Sequence, residues 1–151
     1  MSTVTTNAVV VSVGGPLVNP VTAKYDGIAL VHMAIDGTIT IVTPEGNFTW
    51  TAPVPWWNVT EGYFVIQLFN DRTTGALVVT IYGTDAYSTA AGAYYFLTQV
   101  YPNIADYNGI SYIVGLWEDT ELGADIPLSG SSLGDDSGFS AGDTITIVAQ
   151  G

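Results

Sequence analysis

The chain contains no cysteine, which removes disulfides, thiolate metal sites and cysteine nucleophiles from consideration together. It is almost as poor in cations. Lys24 and Arg72 are its only Lys and Arg, against 14 Asp and Glu, for a formal net charge of −12. Affinity for nucleic acid comes from Lys and Arg neutralising phosphates, so no nucleic-acid partner is expected. The same deficit disfavours anionic lipid surfaces. No apolar run approaches the roughly 18 residues of a membrane span, so no membrane insertion is expected either. Met1 to Asn7 is polar and lacks the basic and apolar regions of a secretory signal.

Charge of either sign is scarce. Only 11% of residues are charged, where an average domain carries about 25%. A monomer usually covers itself with Lys and Glu, whereas the buried parts of subunit contacts are depleted in both. Much of this surface is therefore expected to be occupied by other subunits.

What remains is apolar, β-branched and aromatic. Hydrophobic residues make up 48% of the 151 positions, enough for one globular domain over residues 1–151 and too many for a disordered acidic chain. The apolar pattern has period two almost throughout, the signature of half-buried strands. Val9, Val11 and Val13 alternate with Ala8, Val10 and Ser12. Ile28 to Ile35 is apolar apart from His32, as a central strand covered on both faces would be. Asp36-Gly37 predicts a tight turn into a strand over 38–43, and Pro44-Glu45-Gly46-Asn47 a second turn into Phe48 and Trp50.

Further strands are expected at 63–69 and 76–82, joined by the polar loop 70–75, then at 110–117 and 144–148. In 86–101 the alanines allow a helix while Tyr94, Tyr95 and Phe96 favour a strand. The expectation is all-β: a single β-sandwich or jelly-roll-like domain of about eight or nine strands, with at most one short helix near 86–93. Two segments fall outside this pattern. Residues 2–13 form a Thr- and Val-rich strand ahead of a Gly14-Gly15-Pro16 hinge, and 123–142 form an acidic Gly/Ser loop.

Enzymatic motifs occur only as strings. Gly130-Ser131-Ser132-Leu133-Gly134 spells a nucleophile elbow but lies in the Gly/Ser loop, without the strand and helix that make an elbow work. Asp136-Ser137-Gly138 spells an aspartic-protease triplet without its apolar strand. His32, the only histidine, sits in an apolar run and is expected to be a satisfied core or interface residue. A lone His without Cys does not make a structural zinc site. No catalytic residues are assigned, and the chain is not expected to be an enzyme.

The acids suggest one cofactor. Glu118, Asp119, Glu121, Asp125, Asp135, Asp136 and Asp143 gather around the Gly/Ser loop, and calcium takes six to eight oxygens from such groups. Calcium is therefore a candidate ligand of these residues, with a solvated acidic loop as the plainer alternative. Trp56 and Trp57 are adjacent, so in an extended stretch one of them faces away from the core. Asn47 and Asn58 begin glycosylation sequons. The expected assembly interface comprises Val9, Val11, Val13, Trp56 and Trp57.

Together these features point to a non-enzymatic structural subunit that self-assembles through β-sheet surfaces, partnering copies of itself or a shell or filament protein. The expected setting is a virion surface, as a capsid decoration or cement protein, tail or fibre, because strong acidity suits an outward position. An extracellular filament or pilus subunit, with residues 2–13 donated to a neighbour's sheet, is the alternative. A calcium-assisted carbohydrate-binding or adhesion module is the third.

Overall fold

The computed structural model describes residues 8–55, 58–121 and 138–151. Among them eight strands form two sheets: β1 (Val9–Val13), β2 (His32–Ile35), β3 (Ile39–Thr43), β4 (Gly46–Trp50), β5 (Glu61–Asn70), β6 (Leu77–Gly83), β7 (Tyr112–Glu118) and β8 (Thr144–Gln150). The larger sheet has the order β1-β6-β5-β7-β8 and the smaller is the meander β2-β3-β4. All neighbours are antiparallel except β1 and β6, which run parallel.

The large sheet is apolar on both faces, because alternate residues on β5, β6 and β7 go to opposite sides. Phe64, Ile66, Val79, Ile81, Ile113 and Trp117 form the core on one face. Helix α2 (Ala86–Tyr95) covers it. On the other face Val65, Tyr82 and Val114 meet Val31 and Ile41, with Met33 and Phe48 of the small sheet packed alongside. Helix α1 (Pro20–Asp26) fills a corner of that second side, where Tyr25 packs against Ala76, Val78 and Phe69.

The turns are those that the sequence marks. Gly37 has φ 68°, and Asp36 N–H bonds Thr38 O at 3.0 Å. In the 70–75 loop the Asp71 carboxylate accepts from Thr73 N (2.9 Å), and Gly75 has φ 72°.

Three expectations are corrected. The run 28–35 is not a central strand: α1 ends at Asp26, the chain turns, and only His32–Ile35 is extended, on the edge of the small sheet. Ile28 and Leu30 are 69% and 58% exposed, and His32 is exposed as well, so it is not a core histidine. An apolar run fits a covered strand only if neighbours exist on both faces, and here they do not.

Secondly, α1 was not foreseen. Asn19 caps it by accepting from Val21 N and Thr22 N, and Pro20 occupies the first turn, where its missing N–H costs nothing. Thirdly, the helix is not confined to a short stretch near 86–93: it runs on to Tyr107, with a kink at Asn103 (φ −119°, ψ 32°). Asp85 caps α2 through Tyr87 N and Ser88 N, and Tyr94, Tyr95 and Phe96 pack onto the first core. Burial of their rings outweighs their strand propensity, which is a weak and context-dependent preference. The helix widens into a π turn (Phe96–Val100), where Tyr101 N–H bonds Phe96 O, then tightens into a 3-10 stretch (Tyr101–Tyr107). Pro102 is the physical cause, since it lacks an N–H and its ring crowds the preceding turn.

Gln67 ties the two sheets together. It is fully buried on β5, its Oε1 accepting from Val31 N (3.1 Å) and its Nε2 donating to Val31 O (2.8 Å). The side-chain amide supplies the strand neighbour that Val31 lacks, so neither backbone group is left buried without a partner.

Candidate functional site

Five of the described acids, Asp26, Asp71, Asp85, Glu121 and Asp143, are held in structural roles. Asp143 collects N–H donors: Oδ1 accepts from Thr120 N (3.1 Å) and Glu121 N (3.1 Å), and Oδ2 from Trp117 Nε1 (2.9 Å) and Ser140 N (2.8 Å). Burial pushes its carboxyl up, yet these donors together outweigh that and hold it below the usual range. Glu121 accepts from Ser140 Oγ at 2.8 Å. Of the proposed calcium ligands, Asp125, Asp135 and Asp136 lie outside the described residues. Glu118, Asp119, Glu121 and Asp143 do not come together as a metal-binding group, and no such group of three occurs among the described residues. Glu118 instead lies opposite Glu61 across the β5–β7 pair.

Asp71 gathers both cationic and phenolic partners. Tyr25 Oη donates to its Oδ2 at 2.9 Å, with Lys24 Nζ 3.8 Å away. The Thr73 N–H and the Tyr25 hydroxyl bring its pKa down to about 2. Two other acids shift the opposite way. Burial raises Asp26, which accepts from Met33 N and Tyr82 Oη, and burial raises Asp85 at the α2 cap.

These shifts fix a pH profile. Asp26 and Asp85 bind protons more readily folded than unfolded, so the cost of their buried charge is relieved as pH falls towards their raised values. Asp71 and Asp143 are depressed, so their contribution is complete above the unfolded carboxylate value of about 3.9 and is lost as pH falls below it. Acidification also reduces repulsion within the −12 chain. Thermal unfolding by calorimetry should show a melting temperature that rises from pH 7 to about 5 and falls steeply below about 4. A melting temperature that declines steadily from pH 7 downward would contradict this assignment.

The remaining candidate is an edge of the large sheet. Among the described residues β1 is an end strand, paired on one side only, with β6. Leu77 N bonds Ala8 O and Gly14 N bonds Ile81 O, so even-numbered residues of β1 turn their backbone groups towards β6. In a parallel strand alternate residues point opposite ways, so Val9, Val11 and Val13 present theirs outward. Their side chains are 65%, 54% and 49% exposed, on the face that α2 covers further along the sheet. The inner side of β1 is fastened: Ser12 Oγ lies 2.8 Å from Thr22 Oγ1, and Val10 packs beside Val78.

The edge has a defined end. Asn19 Nδ2 donates to Val13 O at 2.9 Å, so among the described residues the fully open backbone groups of these three valines are those of Val9 and Val11. Neither Lys, Pro nor any charge interrupts Val9–Val13, although these are the devices by which natural edges avoid pairing. The sequence picked out these three valines. It could not show that their carbonyls and amides face away from β6, because that depends on a parallel partner almost seventy positions away, Leu77 to Ile81.

Trp56 and Trp57 lie outside the described residues, as do Gly130–Gly134, Asp136 and Ser137. Asn47 on β4 and Asn58 are exposed. Among the described helices none is long and apolar enough to cross a membrane. Compared with family models, curated proteins and solved structures, the chain matches none significantly.

Proposed function

We propose that this chain is a non-enzymatic structural subunit that assembles through its β-sheet surfaces. The observation that carries the reading is the β1 edge, with outward backbone groups at Val9 and Val11, exposed valine side chains and no charge. An uncharged apolar edge on a chain of −12 is where contact can form without bringing acids together. The described acids with displaced pKa values are tied into caps, turns and loop anchors, which supports a structural role over a catalytic one. The surrounding acidity suits an outward-facing position on a virion, as a decoration or cement protein, tail or fibre. At the level of architecture, the two facing sheets are read as a β-sandwich core to which the helix adds an outer layer.

A filament subunit joined by donation of residues 2–13 is the second reading. It is favoured by the attachment of β1, which among the described residues meets its own sheet through one neighbour and leaves it through Gly14 (φ 117°), Gly15 and Pro16. In that arrangement β1 would pair with β6 of the next subunit. Light scattering and size-exclusion chromatography of the purified chain test both readings. A stable monomer at high concentration overturns assembly. Assemblies that survive deletion of residues 2–13 overturn strand donation.

A further inference from the structure

We infer that the β1 edge pairs with the same edge of a second copy, antiparallel and across a two-fold axis, with Val9 of each copy opposite Val11 of the other. The inference deepens the assembly reading and rests on it.

The register follows from the hydrogen-bonding groups. In an antiparallel ladder, residues that exchange both N–H···O bonds must both turn their backbone groups outward. On β1 those are the odd positions. Val13 O is already taken by Asn19 Nδ2, so centring the pair on Val11 would force Val9 of one copy against an occupied acceptor. Centring it on Val10 matches Val9 with Val11 in both directions, and each of the two pairs can make both of its bonds. The Asn19 bond is left intact.

The chemistry of the edge favours an identical partner. A two-fold contact presents the same patch twice and must be complementary to itself. Here valine meets valine, and neither copy contributes a charge to the ladder. A basic partner would find no carboxylate in β1 to pair with. The side chains of Val9 and Val11, more than half exposed in one copy, would meet on one face of a sheet continuous through both copies.

Cysteine pairing reads the register directly, because the chain has no cysteine of its own. Residues facing each other in a hydrogen-bonded antiparallel pair have Cα atoms about 5.5 Å apart, within the range a disulfide spans. Mixing Val9→Cys with Val11→Cys under mild oxidation should give a covalent heterodimer in preference to either homodimer, and Val54→Cys should give none.

Sedimentation should show the unmodified chain as a dimer, and Val11→Pro as a folded monomer. Among the described residues the Val11 N–H bonds nothing, so proline removes an intermolecular donor and no donor of the β1–β6 ladder. Val11→Asp, which alters an exposed side chain only, gives the same readout should the proline disturb β1. Larger assemblies that persist in Val11→Asp, without the 9–11 crosslink, would overturn this pairing while leaving assembly in place. A monomeric unmodified chain would overturn both.

Discussion

Replacing Gly115 with alanine is expected to lower the unfolding free energy by about 3 kcal/mol, the upper end of what overpacking a core costs. The cause is Phe64. Its ring is fully buried and its tip lies against Gly115, so an added Cβ would overlap Phe64 Cζ and Cε1. The ring cannot retreat, because Gly92 of α2 closes on it from the other side, where a Cβ would lie 3.0 Å from Phe64 Cβ. Tyr95 packs against it too, with centroids 6.0 Å apart.

Gly115 also sits where the β7–β8 register shifts, the kind of irregularity at which strand glycines collect. Urea unfolding of Gly115→Ala measures the loss. In the Phe64→Leu background the same substitution should cost at least about 1 kcal/mol less, since residues in contact are coupled. An unchanged midpoint, or strict additivity of the two changes, would mean that ring and glycine do not share this space.

Replacing Asp143 with alanine is expected to cost about 3 kcal/mol. Trp117 and Ser140 are buried, so Trp117 Nε1 and Ser140 N would lose their acceptor where water does not readily replace it. Thr120 and Glu121 are exposed, and their N–H groups can turn to solvent. Asp143→Asn keeps one oxygen and exchanges the other for a donor, so about half the loss should remain. Both values come from chemical unfolding at neutral pH. The Asp143→Ala chain should also show a shallower fall in stability below pH 4, because one depressed carboxylate has been removed. If alanine is tolerated without loss, Asp143 does not hold the start of β8 to the end of β7.

Both sites show how much could be read along the chain. Gly115 reads only as a small residue within an apolar strand, because no local pattern announces a phenyl ring arriving from residue 64. Asp143 reads as one of seven acids near a Gly/Ser loop, which fits a calcium ligand. Its folded surroundings are N–H donors from residues 117, 120, 121 and 140. Carboxylates accept from amides and ligate cations through the same lone pairs, so composition alone cannot separate the two uses. Other features were legible and missed. Asn19-Pro20 is a helix-start signal, and the seven residues of α1 follow it.

By itself the sequence determined the local geometry, with period-two strands at 63–69, 77–82 and 112–117 and turns at Asp36-Gly37 and Asp71–Gly75, and a formal net charge of −12 with two cationic side chains. These follow from side-chain alternation, glycine φ and net charge, all set within a few residues or by composition. Tertiary structure decided what each strand faces. It placed 86–107 as a kinked run of helix over one side of the sheet, left Ile28 and Leu30 exposed, and laid β1 parallel to β6 at an edge. Those outcomes depend on partners far away in the chain. So does the direction in which Val9 and Val11 aim their backbone groups, on which the proposed assembly rests.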